Sequence, residues 1–386
     1  MSGELFSAGY RPFFLVAALN AWASMLPWLW VLYGGTVPTQ GWPPHTLHAH
    51  EMIFGTVAPV IAGFLLTAVP NWTQTAPVRG TPLGGLVLLY LAGRVALLLA
   101  GLGDPLVVAA IDVAFLPVTA IFVGVPIVRS RNWRNLPVVG SLLGLAAANA
   151  AIHHGLGAKD PALLRAGTWA AVYFVVGLML IISGRVVPIF TRNALRAGGI
   201  EVALPDRRPL GACAIALAVA AMVVDWVEPH SPIAAGFAAL ACLALLARQS
   251  GWHFRQTRGK PMLWILHLGH GWLAVGFGCL ALSNGFGIGI GAAALHAFTA
   301  GAMGTLVLGM MSRVSLGHSG RPIEASRATF AMFVFVIAGA AIRIFGAAGT
   351  AESYRPSVLV GGATWTLAWI LFTFAYFRVL LTRSNA

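Results

Sequence analysis

Apolar runs of roughly twenty residues, interrupted by Pro, Gly and clustered charge, recur along the whole chain. They fall at 13–33, 48–69, 82–101, 105–127, 137–154, 166–189, 209–225, 232–247, 262–282, 289–311, 328–346 and 358–380. About twenty apolar residues in a helix cross the hydrocarbon core of a bilayer. In lipid only helices and closed barrels satisfy every backbone polar group, and these runs are too long and too continuously apolar for barrel strands. The pattern therefore predicts an all-α, polytopic membrane helical bundle of about twelve transmembrane helices, forming a single integral membrane domain over residues 1–386. No soluble domain, low-complexity tract or clear internal repeat is visible. The first run lacks the small-residue cleavage pattern of a removable signal and reads as a retained helix.

Composition agrees with this reading. Of the 386 residues, 58% are hydrophobic and only 9% charged, against about 25% charged in soluble domains. The net charge of +13 would suggest nucleic acid in a soluble protein. Here it reflects Lys and Arg gathered in cytoplasmic loops, so no nucleic-acid partner is expected. With the N-terminus inside, and Arg343 and Arg378 in the end turns of their spans counted with the adjoining side, eighteen of the 24 Lys and Arg residues fall to the cytoplasm and four outside, leaving Arg94 and Arg185 within spans. The bias predicts an N-in, C-in topology. Cys213, Cys242 and Cys279 lie far apart in apolar runs, which supports neither a disulfide framework nor covalent c-type haem.

Ionisable residues inside lipid are costly and are paired or functional. Arg94 and Asp112 each lie about seven positions from the outer ends of antiparallel spans, near ~10 Å depth at 1.5 Å per residue. They are expected to form a structural ion pair. Histidines supply the remaining chemistry. His48 and His50 open the second span, followed by Glu51; His153 ends the fifth; His267 and His270 lie in the inner third of the ninth; His296 lies near the start of the tenth. Two residues apart on a helix means about 200° of rotation, so His48 and His50 would serve centres on opposite sides of it. In an extended segment they could instead chelate one ion. Glu51 shares the helix face of His48 and could orient a ligating imidazole or relay protons. His267 and His270, three apart, share a face and suit one ligand plus an outer partner. His296 and Met303, seven apart, do likewise, and imidazole and thioether suit iron and copper. Against this stands the plain alternative of interhelical hydrogen bonds. Arg185 either snorkels to the inner interface or binds an anionic group, and His318 reads as a cap in a cytoplasmic loop.

Four stretches resemble the NnrS family of bacterial inner-membrane proteins. They are His48-Ala-His-Glu-Met52 running into Ala62-Gly-Phe-Leu-Leu-Thr-Ala-Val-Pro-Asn-Trp72, then Gly184-Arg-Val-Val-Pro-Ile-Phe-Thr-Arg-Asn193, then Leu266-His-Leu-Gly269, and last His296-Ala-Phe-Thr-Ala-Gly-Ala-Met-Gly-Thr305 continuing through Ser312-Arg-Val-Ser-Leu-Gly-His-Ser-Gly-Arg-Pro322. The resemblance implies a multi-pass protein of the inner membrane that takes part in the nitric oxide response, with haem b and copper as cofactors. It favours His48, His50, His267 and His296 as ligands, with His153 joining the metal set less specifically; if Arg185 binds an anion, a haem propionate is the anion in view. Glu51, His270 and Met303 would act as outer partners or a proton relay. The implied partners are the lipid bilayer and nitric oxide or a metal–nitrosyl species; any reductive turnover would need an electron donor. Two other classes fit the span count: a twelve-helix secondary transporter, and a haem–copper-type nitric oxide reductase.

Overall fold

The computed structural model describes residues 2–202, 208–287, 291–347 and 351–383. Arg207 and the first residues of the expected tenth span lie outside them. Twelve helices among the described residues are long and apolar enough to cross a membrane: α1 (Tyr10–Tyr33), α2 (Pro44–Thr73), α3 (Thr81–Leu98), α4 (Pro105–Arg129), α5 (Trp133–Gly157), α6 (Pro161–Ala197), α7 (Pro209–Val227), α8 (Pro232–Gln249), α9 (Pro261–Phe286), α10 (Gly291–His318), α11 (Arg327–Gly346) and α12 (Glu352–Leu381). No strand occurs among the described residues. The expected all-α membrane bundle is what the chain forms.

Local chemistry sets the helix starts. Pro occupies the first turn of α2, α4, α8 and α9, where its fixed φ and missing N–H cost nothing. Asp104 caps α4 by accepting from the Leu106 N–H at 2.7 Å, and Ser231 caps α8 through Ile233 at 3.2 Å, satisfying backbone donors that lipid would leave stranded. Gly287 ends α9 with φ at 62°, the left-handed geometry glycine adopts freely. Large apolar side chains such as Leu88, Val223, Leu243 and Phe374 face outward, as lipid-facing surface requires.

Several helices run past the expected inner ends. α6 extends to Ala197, which puts Arg185 well inside a helix of 37 residues. α10 extends to His318, so that histidine ends a helix instead of capping a loop, and its ring lies 5.8 Å from the Tyr10 ring.

Contacts divide the chain into two compact units. The first comprises Met1–Phe174, Arg313–Pro322 and Trp369–Ala386. Its core includes the α1 stripe Phe14, Ala17, Ala18 and Ala21, buried at helical spacing. Small residues let α1 and α2 approach closely: a Cβ on Gly63 would sit 2.9 Å from that of Phe13. The second unit comprises Val175–Ser312 and Ile323–Ala368. There Ala214, Ala218 and Ala221 of α7 and Ala234, Ala238 and Ala241 of α8 form buried small-residue stripes, the usual means of tight helix packing without a hydrophobic driving force.

Two helices depart from α geometry in the same way. In α2, residues Glu51–Val57 form a π-helical segment; in α10, Ala297–Met303 do. Each is seven residues long and begins directly after a histidine, His50 or His296, and each carries glycine five residues after it, at Gly55 and Gly301. A side chain on Gly55 would run into Asn20 and Glu51, and one on Gly301 would come within 2.9 Å of Trp272. π segments are rare and concentrate at functional sites.

Candidate functional site

In the first unit, Pro44 starts α2 and sets His48 and His50 one turn later, already in helical geometry. The extended alternative for this segment is therefore excluded. The two rings face apart, as 200° of rotation requires. His48 stacks on Trp28 of α1 with ring centres 4.7 Å apart. His50 is buried and turns toward α4 and α5.

His50 enters a connected polar cluster. Its Nε2 lies 2.8 Å from Asn149 Oδ1 and 3.1 Å from Asp112 Oδ2. His153, one helical turn beyond Asn149 on α5, places its Nε2 3.0 Å from the same carboxylate oxygen. Asn149 Nδ2 donates to that oxygen at 2.8 Å. Arg94 pairs with Asp112 through the other oxygen and with Glu51 through its second terminal nitrogen. The expected Arg94–Asp112 pair is present, and it belongs to a larger network. Glu51 turns to Arg94 and to His50, whose Nδ1 is 3.5 Å away. The ring of Trp42 meets both His50 and His153 edge-on.

The π segment of α2 is held from two sides. Asn20 of α1 donates to the Glu51 carbonyl at 3.2 Å, and Tyr90 of α3 donates to the Gly55 carbonyl at 2.6 Å. Side chains thus bond to carbonyls in the irregular stretch, as the bilayer interior demands. A cavity of about 10 Å³ adjoins the cluster, with Arg94, Asp112, Asn149 and Tyr90 on its polar wall and Phe54, Phe115 and Leu116 opposite. That is room for about one water.

In the second unit, α6 and α9 meet through two hydroxyl–imidazole pairs. Ser183 Oγ lies 2.8 Å from His270 Nδ1, and Thr191 Oγ1 lies 2.8 Å from His267 Nε2. Each hydroxyl also donates its one proton to a carbonyl four residues back, Ser183 to Met179 and Thr191 to Val187. With those protons committed, each imidazole must be the donor. His267 is then protonated on Nε2 and His270 on Nδ1. The remaining lone pairs, on His267 Nδ1 and His270 Nε2, are buried and have no hydrogen-bond partner. Both side chains are fully enclosed. Gln249 Nε2 donates to the His267 carbonyl at 2.7 Å, and Trp252 packs on the His270 ring at 4.6 Å. Arg248 donates to the Gly184 carbonyl at 2.9 Å and lies over Trp252.

His296 shows the same logic. Its Nδ1 lies 2.7 Å from the Ala292 carbonyl, which can only accept, so Nε2 carries the lone pair. Metal-bound histidines typically donate their other ring N–H to such an acceptor. Met303 is buried at the end of the following π segment. Arg185 sits on an exposed face of α6, two residues beyond Ser183.

The histidines singled out from sequence thus fall into two groups: His48, His50 and His153 in the first unit, and His267, His270 and His296 in the second. Sequence reasoning missed the roles of Ser183, Thr191 and Gln249. The signal was the eight-residue step from Ser183 to Thr191, which keeps one broad helix face. The family model described as NnrS protein matches residues 4–383. No curated protein matches the chain.

Proposed function

The chain belongs to the NnrS family, and from that premise we propose that it acts in the bacterial inner membrane in the response to nitric oxide, holding haem b and copper on intramembrane histidines. Haem iron, where bound, supplies the site that takes nitric oxide.

The observation that carries this reading is the pair of orphaned lone pairs on His267 and His270. An unsatisfied buried acceptor costs about 1–3 kcal/mol. Two of them within one turn of α9, each fixed by a hydroxyl that has no proton to spare, suit nitrogens that serve an electrophile. His296, with Nδ1–H committed to a carbonyl, is prepared in the same way. The donor set is imidazole with a nearby thioether candidate in Met303 and no thiolate, which fits haem b and copper. On this reading His270 is a ligand candidate of equal standing with His267, not an outer partner. His48, stacked on Trp28, is a further ligand candidate in the first unit.

The test is the visible spectrum of the purified protein, with a pyridine haemochrome and copper assay. The wild type is expected to show a Soret band. His267→Ala and His296→Ala are each expected to lower or alter the bound haem or copper at matched protein amounts, and His48→Ala is assayed beside them. A colourless wild type would favour the transporter class. Unchanged metal content and spectra in all three variants would return the histidines to interhelical hydrogen bonding.

A further inference from the structure

We propose that His50 Nε2, His153 Nε2 and Asp112 Oδ2 together hold one divalent first-row metal ion, a non-haem site in the first unit. Among the described residues these three are the one group whose ligand atoms all lie within 4.8 Å of one another. Nitrogen and oxygen ligands stand about 2.0–2.2 Å from such an ion, which puts neighbouring ligand atoms roughly 3–3.4 Å apart. The two nitrogen–oxygen edges here are 3.1 and 3.0 Å.

Around these three atoms, Asn149 Nδ2 donates to Asp112 Oδ2 and Asn149 Oδ1 lies 2.8 Å from His50 Nε2. Charge gives a second, independent argument. With both imidazoles neutral, Asp112 and Glu51 share the single guanidinium of Arg94, and the cluster holds one negative charge in excess at a buried place. Uncompensated buried charge is strongly disfavoured.

The surroundings suit an ion. With Nε2 as the ligand atom, His50 carries its proton on Nδ1, and the Glu51 carboxylate 3.5 Å away favours that tautomer electrostatically. Two imidazoles and one carboxylate, with no sulfur, select Cu²⁺, Zn²⁺ or Fe²⁺ over Cu⁺. The competing arrangement is a metal-free network in which His50 is an imidazolium.

The experiment separates the two. Purified protein is stripped with a chelator and equilibrated with Co²⁺, and bound cobalt is counted by elemental analysis, with haem measured in the same samples. His153→Gln keeps an N–H to offer Asp112 but removes the imidazole ligand, so a purely structural network tolerates it. The expected result is one Co²⁺ in the wild type that is bound 10–100-fold more weakly, or lost, in His153→Gln, with haem unchanged. His50→Gln repeats the test from the second ligand. Equal Co²⁺ binding by wild type and both variants overturns the assignment, and so does a wild type that takes up no Co²⁺, which needs no variant at all. A wild type that binds Co²⁺ but carries no haem counts against the haem reading alone, and a wild type that carries haem but takes up no Co²⁺ counts against this site alone.

Discussion

Replacing Arg94 by Ala removes the one cation that two buried carboxylates share. The Arg94 side chain is 12% exposed, Glu51 15% and Asp112 1%, so solvent does little to screen the change. Breaking a buried pair by deleting one partner costs about 3–5 kcal/mol. For a unit of this size that corresponds to a fall in Tm on the order of 10 °C. The two carboxylates should respond differently to rescue. Asp112 keeps its contacts with Asn149, His50 and His153, whereas Glu51 keeps only the approach of His50 at 3.5 Å. Adding Glu51→Gln to Arg94→Ala restores the wild-type charge count and should recover most of the loss. Adding Asp112→Asn should recover part of it, because the amide also disturbs those three contacts. Coupling energies for touching residues run to about 3 kcal/mol, which two double-mutant cycles can resolve. The assay is membrane accumulation together with detergent-phase Tm for the singles and doubles. If Arg94→Ala and both doubles accumulate and melt alike, the three residues do not share charge and the network argument fails.

Two further outcomes follow from the same structure. Reporter fusions after residues 36, 158 or 229 should read periplasmic and those after 132, 256 or 384 cytoplasmic; reversal at two or more sites would sink the topology. Ser183→Ala and Thr191→Val should each free the tautomer of one imidazole on α9 and weaken metal or haem retention on the order of 10–100-fold, measured by haemochrome and copper assay after dialysis; retention equal to the wild type would show that the hydroxyls do not set the ligand nitrogen.

What could be read from sequence divides along physical lines. Spans were legible because lipid imposes a continuous apolar run on each, and their number and order are those of α1–α12. The Arg94–Asp112 pair was legible because topology converts position into depth. The opposition of His48 and His50 was legible because helix rotation is fixed. Inner helix ends were not, since at the interface a helix continues through polar and basic residues; hence the extra turns that take α6 on to Ala197 and put His318 on the end of α10. Neutral partners were not legible either. Ser183 and Thr191 carry no charge to announce burial, and only their contacts reveal that they fix imidazole tautomers.

The π segments explain why an apparently repeat-free chain nevertheless uses one local device twice. A π turn closes its hydrogen bonds one residue later than an α turn, so it advances every following side chain by one position and loosens the backbone ladder at its start. His50 and His296 each stand at that start. For His50 the consequence is visible in its neighbours: the loosened carbonyls of Glu51 and Gly55 are taken up by Asn20 and Tyr90, and Glu51 is turned toward Arg94 and His50. A histidine followed five residues later by glycine is the only trace this leaves in sequence. Such a pattern is too short to be read without coordinates, because its meaning lies in the hydrogen-bond register and not in residue type.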